Sequence, residues 1–114
     1  MLLIRNLTMA FKGLKAISNL DLDVRAGRVY GLIGPNGAGK TTLFNLISGF
    51  LTPQKGQIFF SGQNLVGLKP HAICRLGIAR TFQIVKIFPD LSVFRNIMIG
   101  SFNRHKDLKR SQEI

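Results

Sequence analysis

Nine consecutive residues, Gly34-Pro35-Asn36-Gly37-Ala38-Gly39-Lys40-Thr41-Thr42, bring together three glycines, one ammonium group and two hydroxyls. The first eight match the pattern G-x-x-x-x-G-K-[ST] at every fixed position. Glycine lets the backbone curl through conformations that other residues avoid, so successive N–H groups can converge on one anion. Lys40 adds a mobile cation, and the Thr41 hydroxyl is a hard oxygen ligand of the kind Mg²⁺ takes. The chemistry expected is the cradling of a phosphate chain, with Lys40 at the β- and γ-phosphates and Thr41 on the metal. The alternative is a Gly-rich turn beside a chance Lys-Thr pair, and the flanking elements decide between the two.

A phosphate loop needs a strand before it and a helix after it. Val29-Tyr30-Gly31-Leu32-Ile33 is a continuous apolar run, the mark of a strand buried on both faces. After the loop, Leu43, Leu46, Ile47 and Phe50 recur at helical spacing, and Gly49 and Pro53 stand where such a helix ends. The opening helix also directs its N-terminal dipole at a bound anion. Both flanks are therefore as the phosphate loop requires.

Further out, Leu2 to Thr8 reads as a strand, with a turn at Phe11-Lys12-Gly13. Leu20, Leu22 and Val24 alternate with polar residues, which predicts a half-buried strand of an antiparallel sheet. Gln57 to Ser61 is a further short strand closed by Gly62. Pro70 to Leu76 is a short helix with proline at its start. Ile78 to Phe82 reads as a strand, and Ser92 is placed to cap a last helix through Phe94, Ile97 and Met98. The stretch from Asn103 to Ile114 is polar and mostly basic.

With 114 residues the chain has room for one small domain. No apolar run reaches the roughly 20 residues of a membrane-spanning helix, and the start has no signal-peptide pattern. A cytosolic location is expected. The single cysteine, Cys74, allows no internal disulfide, and neither His71 nor His105 has a ligand-spaced partner for a metal. Sixteen Lys and Arg against five acids give a net charge of +11. Two readings stand: an anionic partner, or balancing acids in sequence that belongs with this stretch. Basic and aromatic residues are not interleaved on one face, so nucleic acid is not the expected partner.

The wording of Gly34 to Thr42 closely resembles the Walker A loop of ABC transporter ATPases. Arg80-Thr81-Phe82-Gln83 resembles that family's Q-loop in sequence and in its spacing from Lys40. Leu91-Ser92-Val93-Phe94-Arg95-Asn96-Ile97 looks like the helix that follows the Q-loop, with Arg95 where the family usually has Glu. Phe44 to Phe50 and Leu76 to Gln83 are similar to the branch that energises branched-chain amino acid uptake.

The resemblance implies an α/β fold: part of a P-loop NTPase core with the antiparallel β layer typical of ABC ATPase domains. It makes residues 1–114 the N-terminal part of a single ATP-binding domain. ATP and Mg²⁺ are the implied cofactors. Gln83 is the implied sensor of γ-phosphate and metal, and Phe11 stands where the family stacks an aromatic on adenine. Phe11 as a plain core residue beside Leu14 and Ile17 remains the alternative. Transmembrane permease subunits and a second ATP-binding subunit are the implied partners, at the cytoplasmic face of the membrane.

After Gln83 there is no Leu-Ser-Gly-Gly-Gln signature and no apolar strand ending in Asp-Glu. Pro89 before Asp90 argues against a Walker B strand. No catalytic base is therefore assigned, and these residues alone are not expected to turn ATP over. Three functions stay open: an importer ATPase subunit, a non-hydrolysing nucleotide-binding remnant, and a nucleic-acid-associated ABC protein.

Overall fold

The computed structural model describes residues 1–102; the basic stretch and His105 noted above lie outside the described residues. Two compact units divide the chain at Ile78/Ala79. The first is built on a four-stranded antiparallel sheet, in the order β2-β1-β3-β4.

Strand β1 (Leu2–Phe11) and strand β2 (Leu14–Val24) form a hairpin closed by Lys12 and Gly13, at φ 46° and 85°. Two consecutive positive-φ residues match the right-handed twist of the strands they join. The same device joins β3 (Lys55–Phe60) to β4 (Gln63–Asn64) through Ser61 and Gly62, at φ 48° and 85°.

Strict alternation along β1 would place Leu2 and Ile4 on one face and Leu7 and Met9 on the other. Asn6 instead takes φ 50°, and the β1–β2 register shifts between Ile4 and Leu7. One extra residue in a strand reverses the facing of everything after it. Leu7 thereby joins Ile4 in the core, both fully buried. Asn19, at φ 51°, does the same on β2 and brings Ile17 and Leu20 to the same core. Each bulge is tied to the partner strand: the Asn6 amide donates to Asp21 at 2.6 Å and the Asn19 amide to the Thr8 hydroxyl at 3.1 Å. Gly56 crosses behind the β1 bulge at φ 96°; a Cβ there would stand 2.5 Å from the Asn6 carbonyl.

Helix α1 (Lys40–Ile47) covers this face with Leu43 and Leu46, and helix α2 (Pro70–Arg75) adds Ile73. Ile58 and Leu65 complete the buried cluster. Helix α1 ends at Ile47 rather than reaching Phe50, because Gly49 turns to φ 76° against the Leu68 carbonyl and the Ile73 side chain.

Two predicted strands are not formed. Val29 to Ile33 carries no strand pairing among the described residues, and Val29 and Ile33 are 100% and 96% exposed. A run apolar on both faces needs a neighbouring strand at each edge and cover on both sides. Here the strands formed pair only with one another. Ile78 to Phe82 is likewise irregular, for want of a ladder partner.

In the second unit, helix α3 (Val93–Ser101) is capped as its sequence predicts: the Ser92 hydroxyl accepts from the Arg95 amide at 3.3 Å. Asn96 binds the preceding turn. Its amide donates to the carbonyls of Phe88, Leu91 and Ser92, and its oxygen accepts from the Phe88 N–H at 2.9 Å. No helix among the described residues is long and apolar enough to cross a membrane.

Candidate functional site

The loop from Gly34 to Gly39 leads directly into α1, with Gly39 as its N-cap in the left-handed conformation, φ 89°. Gly37 also has positive φ, at 84°. The turn is closed by the Ala38 amide donating to the Pro35 carbonyl at 3.2 Å. A glycine cap supplies no side-chain acceptor, and no acidic residue stands in the first turn. The first intrahelical bond runs from the Leu43 N–H to the Gly39 carbonyl at 2.9 Å. The N–H groups of Lys40, Thr41 and Thr42 thus have no acceptor within the helix, the arrangement that favours an anion at a helix start.

Lys40 folds back over the loop. Its ammonium donates to the carbonyl of Gly34, and to that of Pro35 at 2.6 Å. The cation is therefore held inside the curl. The Gly39 backbone lies against β2, where a Cβ on it would stand 2.3 Å from the Ala16 carbonyl oxygen. The sixth position of the motif is thus dictated by contact with β2 as well as by its φ.

Sequence reasoning did not identify the walls around the loop. A cleft of about 240 Å³ is lined by Ala16, Ile17, Ser18 and Leu20 of β2, together with Leu32, Ile33, Ala38, Gly39, Lys40 and Leu43. The contribution of β2 depends on its bulged register against the loop, which no local pattern announces. Of the residues expected at the site, Gly34 to Thr42 form one continuous structure with the Thr41 side exposed. Phe11 sits at the hairpin end of β1, 42% exposed, and is not among the residues lining the cleft. Gln83 lies in the second unit, exposed, next to Phe82, over whose ring the Arg80 guanidinium stacks at 4.8 Å.

The loop geometry fits the group expected of it: glycines where positive φ and close approach demand them, an inward cation, and free helix-start amides. Residues 17–114 match the ABC transporter family. The chain belongs to that family. It is 41% identical over 109 residues to LivG, a high-affinity branched-chain amino acid transport ATP-binding protein of Escherichia coli (strain K12), covering 96% of this chain. It is 42% identical over 102 residues to the corresponding BraF protein of Pseudomonas aeruginosa, covering 90% of this chain. The chain spans 42% and 40% of the length of these two curated relatives.

Among solved structures, an ATP-binding cassette of an ABC transporter in its ADP conformation superposes with a TM-score of 0.81 at 32% identity, covering 97% of this chain and 44% of that one. A dimeric bacterial ABC transporter cassette gives 0.82 at 21% identity, covering 99% and 53%, which shows the shared fold. The expected α/β class with its antiparallel layer is the fold of this family. Similar identity extends to PotA, a spermidine/putrescine import ATP-binding protein of Nitrosospira multiformis, at 42% over 94 residues and 25% of its length. Identity over this stretch therefore reports the ATP-binding fold more strongly than the cargo.

Proposed function

We propose that Gly34 to Thr42 hold the phosphates of ATP, and that residues 1–114 form the N-terminal part of one ABC-type ATP-binding domain. The observation that carries this reading is the Lys40 ammonium, held in the loop curl by the carbonyls of Gly34 and Pro35 above a helix start without a side-chain cap. A triphosphate entering the curl exchanges those carbonyl contacts for β- and γ-phosphate oxygens, which bind an ammonium more strongly than neutral carbonyls do. The amides of Lys40, Thr41 and Thr42 bind the same anion, and Pro35, Asn36 and Ala38 shape the turn around it.

Thr41 and Gln83 are the oxygens assigned to Mg²⁺, which would supply charge neutralisation at the β- and γ-phosphates. Phe11 is assigned to the adenine face. No residue is assigned as a catalytic base, and Asp90 lies in an exposed turn rather than at a strand end.

At the level of the whole assembly, the reading is an ATP-binding subunit on the cytoplasmic face of the membrane. It energises branched-chain amino acid import, with transmembrane permease subunits and a second ATP-binding subunit as partners. The names of LivG and BraF support this, together with the wording of Leu76 to Gln83. The test is titration of the chain with fluorescent ATP and AMP analogues, with and without Mg²⁺. Triphosphate binding strengthened by Mg²⁺ is expected; equal affinity for the two nucleotides, or none for either, overturns the phosphate assignment.

A further inference from the structure

Past Thr8, strand β1 has no ladder partner on its β3 side among the described residues: Thr8 against Lys55 is the last pair, and β3 begins at Lys55. On that register Ala10 would face Pro53, which has no N–H to donate and cannot continue a ladder. The Gln54 side chain reaches across instead. Its Oε1 accepts from the Ala10 N–H at 3.1 Å, and its Nε2 donates to the Ala10 carbonyl at 3.4 Å. A primary carboxamide carries an acceptor and a donor in one plane, so a single side chain reproduces both bonds of a facing peptide unit. The backbone of the same residue is fixed as well, because the Gln54 N–H donates to the Thr8 carbonyl at 3.1 Å.

These bonds fall at the residue before Phe11. The Ala10 carbonyl belongs to the planar peptide unit that carries the Phe11 N–H, so holding it sets the plane from which the Phe11 side chain leaves β1. On the other edge Phe11 is paired with Leu14 across the Lys12-Gly13 turn. Without Gln54 the tip of the hairpin is two-stranded, and an isolated two-stranded hairpin is at best marginally stable in water. Phe11 is 42% exposed, so packing alone does not hold its ring. Gln54 is exposed and lies outside the buried cluster, so it contributes through its carboxamide and not through burial.

We infer that Gln54 is a positioning residue for the nucleotide base: its carboxamide serves as a third strand at the hairpin tip and holds Phe11 in the orientation that stacks on adenine. Gln54 has this role only through Phe11, whose assignment to adenine is the reading proposed above. It does not act on the phosphates, so the triphosphate part of binding is indifferent to it.

Gln54→Leu keeps the bulk of the side chain and removes both bonds. In the 114-residue chain without nucleotide, it is expected to speed hydrogen exchange of the Ala10 amide by about fivefold, the worth of one hydrogen bond, and to leave the amides of Ile4 and Ile58 unchanged. ATP binding is expected to weaken by about twofold to fivefold, the upper figure being the loss of the whole stacking pair, while inorganic triphosphate binds as before. Adding Gln54→Leu to Phe11→Ala should weaken ATP binding no further than Phe11→Ala alone, because the one residue acts through the other. A merely structural role would lower the affinity for both ligands together, so equal loss of ATP and inorganic triphosphate in Gln54→Leu overturns the inference. Unchanged Ala10 exchange overturns it too, as does unchanged ATP binding in Gln54→Leu when Phe11→Ala is selective for ATP. If Phe11→Ala itself weakens both ligands equally, the adenine assignment fails and the role of Gln54 falls with it, a result the single Phe11 variant tells apart.

Discussion

A Cβ built on Gly39 falls 2.3 Å from the carbonyl oxygen of Ala16, so the Gly34–Gly39 loop and β2 meet backbone to backbone. The contact joins the loop's last glycine to the sheet, and φ at Gly39 is 89°. Gly39→Ala adds the left-handed penalty of about 1–2 kcal/mol for a side-chain-bearing residue, and a clash with backbone that cannot rotate away. A loss of about 2 kcal/mol or more in unfolding free energy is expected from denaturant titration. Gly37→Ala is the control: φ there is 84°, but nothing lies within 4 Å, so only the penalty of its φ applies.

Lys40 is expected to discriminate by phosphate number. Lys40→Ala should weaken ATP binding far more than AMP binding, because the proposed function assigns the ammonium to the β- and γ-phosphates. The lysine's present contacts are loop carbonyls at the surface of the fold, so thermal unfolding should change little. Equal losses for the two nucleotides in a fluorescence titration would remove Lys40 from the phosphate site.

Phe11 separates the base from the phosphates. Phe11→Ala is expected to cost about 1 kcal/mol of ATP binding, the scale of an aromatic stacking pair, and nothing for inorganic triphosphate. Calorimetric titration with both ligands decides this. The same loss for both would make Phe11 a residue of the hairpin, consistent with its place outside the cleft lining.

Arg5 and Asp23 pair across β1 and β2, and the hydrogen bond from Arg5 holds the Asp23 carboxyl below the usual carboxylate range. A carboxylate whose folded pKa is depressed contributes stability above its unfolded pKa, and that contribution is lost as pH falls through the folded value. Both side chains are open to solvent over some two-fifths of their surface or more, at 41% and 47% exposure, so the effect is small and screened by salt. Thermal melts between pH 7 and acid, at low ionic strength, should show the wild type losing more stability than Asp23→Asn. Parallel pH curves would show that the pair does not couple to folding.

Much of this protein was legible in local sequence because local chemistry decides it. The Lys12-Gly13 turn needs two positive-φ residues, Pro70 can only open a helix, and Ser92 caps α3 through one hydroxyl. The conformation of the loop from Gly34 to Gly39, to which we assign the phosphates, is of the same kind: its glycines, Lys40 and Thr41 lie within a few residues of one another, so their spacing is already geometry. The facing of Leu7 and Ile17 was not legible, because the bulges at Asn6 and Asn19 exist only where two strands meet. The β2 walls of the cleft follow from those bulges, and the demand for glycine at position 39 is completed by Ala16, a residue 23 positions away on another element. The apolar run Val29 to Ile33 marks the limit of the local code. Its composition specifies a buried strand, but a strand forms only when a neighbour supplies the other half of each hydrogen bond, and tertiary structure decides whether that neighbour is present.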